Sequence, residues 1–249
     1  MIKFLDLYKQ DKKLHKIILK DINKLFKKGD FILGKEVLKF EDNFKTFCKS
    51  KYAISCGNGT DALTIALKSL SLPNNSEVII PAMTYCSTAF AVINAGLTPI
   101  LVDTEFLKPT IDLVDLKKKI NRKTKVILPV HLYGSVANLN GIKKIIKKKD
   151  IYLVDDCAQA HGAYDDSSNT LNKNRIGSAT DISCFSLYPG KNLGAYGDAG
   201  IITTNNKSLY NKIKKIRNLG SDKKFIHDFV GLNSRLDTIQ AIILNKKIK

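Results

Sequence analysis

The sequence has no CxxC pair, no unbroken apolar run of membrane-spanning length and only four arginines among its 41 basic residues. Each shortage removes a class of function. Five cysteines (Cys48, Cys56, Cys86, Cys157, Cys184), odd in number and widely spread, supply neither a disulfide framework nor a structural zinc site and fit a reducing cytoplasm. Without about 20 consecutive apolar residues the chain has no candidate membrane helix. The start, Met1 to Lys13, carries charges and lacks the apolar core of a signal peptide. The net charge of +18 comes from 41 Lys+Arg against 23 Asp+Glu. Arginine is the residue of bidentate phosphate and base contacts, and it is confined to Arg122, Arg175, Arg217 and Arg235. The charge therefore reads as lysine on solvated faces, with weak attraction to anions, and no nucleic-acid partner is expected.

What is present is a globular chain of 249 residues, 44% apolar and 26% charged, long enough to bury a real core. Leu14, Ile17, Ile18, Ile22, Leu25 and Phe26 recur at helical spacing, and Lys28-Gly29 ends that segment. A second amphipathic stretch spans Val37 to Phe47. Short apolar runs then alternate with helical segments. Strands are expected at 78–80, 100–102, 125–130, 151–155, 182–186 and 200–204, and helices at 62–70, 87–95, 113–120, 139–149 and 207–217. Continuous apolar strands spaced by helices predict an α/β fold with a mostly parallel sheet covered by helices on both faces. Ligands in such folds sit at the carboxyl ends of strands. There is no internal repeat and no low-complexity linker. A last helix begins at Leu236 and is still amphipathic at Lys249, so the chain reads as cut off there.

Three strand or helix ends carry unusual chemistry. Gly57-Asn58-Gly59-Thr60-Asp61 opens a helix near Ala62, which makes either a phosphate site or an ordinary N-cap with Thr60 or Asp61 closing the first turn. Its spacing is neither GxxxxGK nor GxGxxG. Asp155-Asp156 ends a buried strand, where a carboxylate would pair with a protonated ring nitrogen of a cofactor or cap the following helix. A metal there would need more ligands than His161 offers, and none is expected. Ser186-Leu187-Tyr188-Pro189-Gly190-Lys191-Asn192-Leu193-Gly194 sets one lysine among turn-forming and apolar residues, where a desolvated amine becomes a nucleophile toward aldehydes. A phosphate-binding helix start, an aspartate, a strand-end serine and an isolated lysine together match the needs of pyridoxal 5′-phosphate (PLP), with Tyr85 placed to stack on its ring.

Five ordered motifs then carry a resemblance: Gly57 to Leu63, Pro129-Val130-His131-Leu132-Tyr133-Gly134, Asp156 to Gly162, Ser186 to Gly200, and Gly231 to Ala241. The chain closely resembles the DegT/DnrJ/EryC1/StrS family of PLP-dependent nucleotide-sugar aminotransferases. The resemblance implies the fold-type-I, aspartate-aminotransferase-like architecture. It matches Lys191 with the lysine that bonds to the cofactor aldehyde and shuttles protons at the substrate carbon. It matches Asp156 with the partner of the pyridine nitrogen, Gln159 with a contact to the phenolic oxygen or ring face, and Tyr85 with the stacking aromatic. Gly59, Thr60 and Ser186 match the phosphate cradle. Asn233 matches a residue reaching the phosphate across a dimer interface, with Arg235 the other candidate in that motif, and His161 and Tyr188 align near the substrate. The implied reaction moves an amino group from L-glutamate to a nucleotide-linked keto-sugar, a dTDP-3-keto-6-deoxyhexose by its motifs, in a cytoplasmic homodimer that shares active sites and serves amino-sugar and surface-polysaccharide synthesis.

The expected division is an N-terminal helical segment over 1–30, a PLP-binding α/β domain over 31–235, and over 236–249 the start of a helix leading to a further subdomain. A sugar dehydratase of the same family is the enzymatic alternative. It would carry histidine at the lysine position, and Lys191 speaks against it. A non-catalytic PLP-binding remnant is the other alternative. The terminal stripe Leu236, Ile239, Ile242 and Ile243 is expected to lie uncovered and to promote aggregation.

Overall fold

Apolar side chains that look continuous along a strand point alternately to its two faces, so one buried strand feeds two cores. The computed structural model describes residues 5–165, 175–223 and 225–248. In chain order, α1 (Leu7–Asp11), α2 (His15–Lys28) and α3 (Lys35–Cys48) lead into β1 (Tyr52–Cys56). Then follow α4 (Gly59–Ser69), β2 (Glu77–Pro81), α5 (Cys86–Asn94), β3 (Thr98–Val102), α6 (Leu113–Lys119), β4 (Thr124–Ile127) and α7 (Leu139–Ile146). The remainder is β5 (Tyr152–Asp156), β6 (Ile182–Ser186), β7 (Gly200–Thr204), α8 (Lys207–Ile216), the short pair β8 (Ser221–Lys223) and β9 (Ile226–His227), and α9 (Thr238–Lys247).

Seven strands form one sheet in the order β1-β7-β6-β5-β4-β2-β3. β3, β2, β4, β5 and β6 are mutually parallel, and only β7 runs antiparallel to its neighbours β6 and β1. Val78, Ile80, Val126, Val154 and Ile182 join one core with Ala62, Ile65, Ala91 and Ile213, so α4, α5 and α8 cover that face. Ile79, Ile127, Leu153 and Phe185 join the other core with Phe40, Leu116, Leu139 and Leu244, so α3, α6, α7 and α9 cover the opposite face.

Some element ends shift, since the strand expected at 125–130 is Thr124–Ile127, the helix expected at 139–149 ends at Ile146 and the helix expected from Leu236 begins at Thr238. Four further differences stand out. β1 was not foreseen, and it becomes a strand by pairing in full register with β7, from Tyr52 opposite Thr204 to Cys56 opposite Gly200. α4 starts at Gly59 rather than Ala62, because Asn58 is its N-cap and accepts the Asp61 N–H at 2.8 Å. Neither Thr60 nor Asp61 plays that part. Pro81 ends β2 inside the sheet, opposite Val102, rather than stopping the strand before it. The terminal stripe is also not uncovered: Leu236, Ile242 and Ile243 are buried, Ile239 is half-buried, and α9 packs against α3 and α2. Asn245 donates to the Glu36 carbonyl at 2.9 Å, and Lys247 pairs with the buried Asp11 at 2.8 Å. The aggregation expected from that stripe has no structural basis. No helix among the described residues is long and apolar enough to cross a membrane.

Candidate active site

Four segments converge where β5 and β6 end. The start of α4, the start of α5, the end of β5 and the turn after β6 enclose a cavity of about 860 Å³. Its walls include Gly59, Thr60, Tyr85, Asp156, Gln159, Ser186, Tyr188 and Lys191. Eight of the residues singled out by the sequence, far apart in the chain, therefore meet in one place.

The wall at Gly59 is glycine for a steric reason. A Cβ there would stand 2.6 Å from the Ser186 Cβ, closer than real carbon atoms approach. The α4 N-terminus thus lies directly against the strand-end serine, with N–H groups at the positive end of its helix dipole. Thr60 donates its hydroxyl to Ser87 at 2.9 Å, and Ser87, in the first turn of α5, also lines the cavity. Behind this wall Ser234 ties the loop down. Its hydroxyl accepts the Gly57 N–H at 3.0 Å and donates to Asp61 at 2.6 Å.

Asp156 is buried, and both its oxygens are engaged. Oδ1 accepts the Ala158 N–H at 3.0 Å and Oδ2 accepts the Thr88 hydroxyl at 2.9 Å. Burial pushes its carboxyl above the ordinary aspartate range, and the bonds to Ala158 and Thr88, with His131 and Lys191 nearby, oppose that. Asp155 points to the other face of the sheet. Its Oδ2 meets His131 Nε2 at 3.1 Å and its Oδ1 accepts the Thr180 hydroxyl at 2.7 Å. His131 Nδ1 accepts the Ala137 N–H at 3.1 Å, so the proton of the neutral ring sits on Nε2 and is donated to Asp155. Burial alone would raise Asp155, but the bonds from His131, Ser183 and Thr180 outweigh it and hold it below the usual value. Cys157 stands within 4.8 Å of His131 and Asp155, a grouping of metal-ligand type. Burial drives its thiol well above the usual range and both ring nitrogens are already bonded, so the group is a hydrogen-bonded core element.

Gln159 accepts the Tyr133 N–H at 2.7 Å, which fixes its amide at the cavity edge. Lys191 is half-buried in a turn closed by its own N–H to the Tyr188 carbonyl at 2.9 Å. His161 does not line the cavity. It packs on Phe185 at 5.3 Å, and neither ring nitrogen has a hydrogen-bond partner among the described residues. Burial, with the Lys191 charge second, lowers it to about 4. Asn233 and Arg235 also lie outside the cavity. Asn233 is exposed and bridges Asn218, and Arg235 donates to the Asn218 side chain at 3.2 Å. Sequence reasoning missed Ser87, Thr88, Thr84 and Ser234. The only signal for the first three was a run of hydroxyls flanking Tyr85 at a strand-to-helix turn.

The sequence pattern of the DegT/DnrJ/EryC1/StrS aminotransferase family matches residues 12–249. The chain belongs to this family. It is 42% identical over its full length to 67% of the dTDP-3-amino-3,6-dideoxy-alpha-D-galactopyranose transaminase of Aneurinibacillus thermoaerophilus. Its fold superposes on DesV of Streptomyces venezuelae with a TM-score of 0.93 at 36% identity, covering 99% of this chain and 65% of that one. NtdA of Bacillus subtilis, solved with bound cofactor PMP, gives 0.90 at 31% identity over 99% of this chain and 55% of that one. The chain thus spans about two thirds or less of the length of these relatives. They place it in the fold of PLP-dependent aminotransferases, and the family's aminotransferases use PLP. The residues present fit that cofactor. The Gly59 cradle is one that a side chain would fill, and the buried Asp156 carboxylate forms part of the same cavity wall.

Proposed function

We propose that this chain carries the cofactor site of a nucleotide-sugar aminotransferase. The amino donor is L-glutamate and the acceptor a nucleotide-linked keto-sugar, a dTDP-3-keto-6-deoxyhexose. The observation that carries this reading is the joining of Gly59, Asp156, Ser186 and Lys191 around one cavity. Gly59, Thr60 and Ser186, with the N–H groups of α4, hold the phosphate, a role suited to a helix N-terminus. Asp156 holds the proton on the ring nitrogen, Tyr85 covers the ring and Gln159 fixes its edge. Bound there, PLP supplies an aldehyde for amine exchange and an electron sink for charge developing on the substrate carbon. Lys191 Nζ would hold the cofactor through its aldehyde carbon, with release of water, and as a free amine would take and return the proton at the substrate carbon.

Asn233 lies outside its own chain's cavity and is exposed, as suits a residue serving the phosphate of a second copy. The working form is accordingly a symmetric homodimer with shared sites.

The test has two stages. The purified chain is titrated with PLP, reduced with borohydride and digested, and pyridoxyl-lysine is expected at Lys191. The loaded protein is then mixed with L-glutamate and with a dTDP-keto-sugar, each half-reaction being followed by the change in cofactor absorbance. Modification at another lysine overturns the assignment of Lys191, and cofactor turnover with glutamate but with no keto-sugar overturns the acceptor class.

A further inference from the structure

Asp156 stands on a strand end that hydrophobic packing has almost closed, and a carboxylate in such a place favours its neutral form unless donors hold the charge. Its own loop supplies one donor, the Ala158 N–H. The other comes from a different element, Thr88 in the first turn of α5, which is fully buried. Thr88 has a second partner: its hydroxyl lies 2.7 Å from that of Thr84, four residues earlier, just before the N-cap of α5 and in the cavity wall. A hydroxyl has one proton to give. Thr88 spends it on Asp156, so toward Thr84 it accepts. An ionised Asp156 can only accept, and with it the direction runs Thr84 to Thr88 to Asp156.

We propose that Thr84 and Thr88 form a one-way hydroxyl relay that holds Asp156 ionised as the partner of the cofactor ring nitrogen; this rests on the cofactor reading above. Thr88 is then a positioning residue: it acts through Asp156. Tyr85, the N-cap of α5, and Ser87, in its first turn, border the same cavity. One helix start sets the ring face through Tyr85, the phosphate wall through Ser87 and the ring nitrogen through Thr88. The other groups around Asp156 are Asp155 and Cys157 on its own segment, His131 beside it, Cys184 on β6, Lys191 in the turn after β6 and Asp61 in the shared wall. His131 is committed to Asp155 and Ala137, so it offers Asp156 no hydrogen bond from its side chain.

The test needs no turnover. The cofactor-free chain, labelled with ¹³C at aspartate carboxyls, is titrated by NMR, and the Asp156 signal is identified by its loss in Asp156→Asn. Thr88→Val keeps the shape and removes the donor. Its Asp156 midpoint is expected to rise by about one pH unit or more. Thr88→Ser should return it to the wild-type value, and Thr84→Val should raise it by less than Thr88→Val. In protein loaded with PLP labelled at the ring nitrogen, Thr88→Val should move the ¹⁵N signal toward the unprotonated value while Thr88→Ser does not. An unmoved midpoint in Thr88→Val overturns the relay. If that variant does not fold, Thr84→Val decides, and an unmoved midpoint there overturns it equally. Wild-type protein that takes up no PLP overturns the cofactor reading, whereas PLP uptake by the wild type together with an unmoved Asp156 midpoint in Thr88→Val overturns the relay alone.

Discussion

Asp155 and Asp156 are adjacent carboxylates at the end of one strand, and they live in opposite worlds. Asp155 is sealed between β5 and the α3, α7 side of the sheet, with both oxygens bonded to His131 and Thr180. Asp156 turns to the α4, α5 side and forms part of a cavity wall. Chemistry did not separate them, since both are buried aspartates held by hydroxyl or N–H donors. The two-residue repeat of a strand did, by handing one to the core and the other to the site. The comparison teaches that a strand-end carboxylate acquires its role from which face meets the cavity.

The largest test of this contrast is Asp156→Asn. It is expected to slow the glutamate half-reaction at least about 10³-fold, roughly 4 kcal/mol of barrier, while PLP still binds. Single-turnover absorbance checks it, and an active Asp156→Asn beside an inactive Asp155→Asn would reverse the comparison.

Next in size is a pH effect at His161, whose ring packs on Phe185 and whose buried nitrogens have no hydrogen-bond partner among the described residues. Burial holds its folded value at about 4, below the ordinary 6.5. Between those values the unfolded chain binds a proton that the folded chain refuses, so stability falls as pH drops through that window. The full loss is roughly 3 kcal/mol. Urea unfolding from pH 7 to 4 should show this slope in the wild type and a flatter one in His161→Gln.

The smallest effect belongs to Asp155→Asn. It should cost about 2 kcal/mol at neutral pH by weakening charge-assisted hydrogen bonds, with transamination within tenfold of wild type. Asp155 is held below its unfolded value of 3.8, so its contribution exists above that pH and disappears as pH falls through the folded value. The gap between Asp155→Asn and wild type should therefore close in acid. A gap of constant size would mean that the side-chain charge is not what stabilises this corner.

The strands at 182–186 and 200–204 were legible to the residue, because apolar runs bounded by turns carry their own signal. β1 was not, since Tyr-Ala-Ile-Ser-Cys gains its character from β7, about 150 residues later. The two glycines around Asn58 hid the start of α4, although Asn58 is a good cap. In the site, the residues with distinctive chemistry stood out: a lone lysine, a carboxylate at a strand end and glycines before a helix. Thr88 and Ser234 did not, because a hydroxyl is common and its meaning lies in a partner 68 or 173 residues away. The cover over Leu236, Ile242 and Ile243 was invisible for the same reason. It comes from the first helices of the chain.

That closure of the last helix on the first ones has a consequence for how the protein is made. The Asn245 bond to Glu36 spans 209 residues of sequence. A ribosome adding about 5–20 residues per second leaves α3 without its neighbour for roughly 10–40 s. Through that interval the part of α3 that α9 covers stays in water or in the grip of a chaperone, and the nascent chain cannot complete this core from its amino end alone. A ribosome-bound chain stopped at residue 230 is expected to be cut by protease within α3, and one with α9 extruded from the exit tunnel to resist.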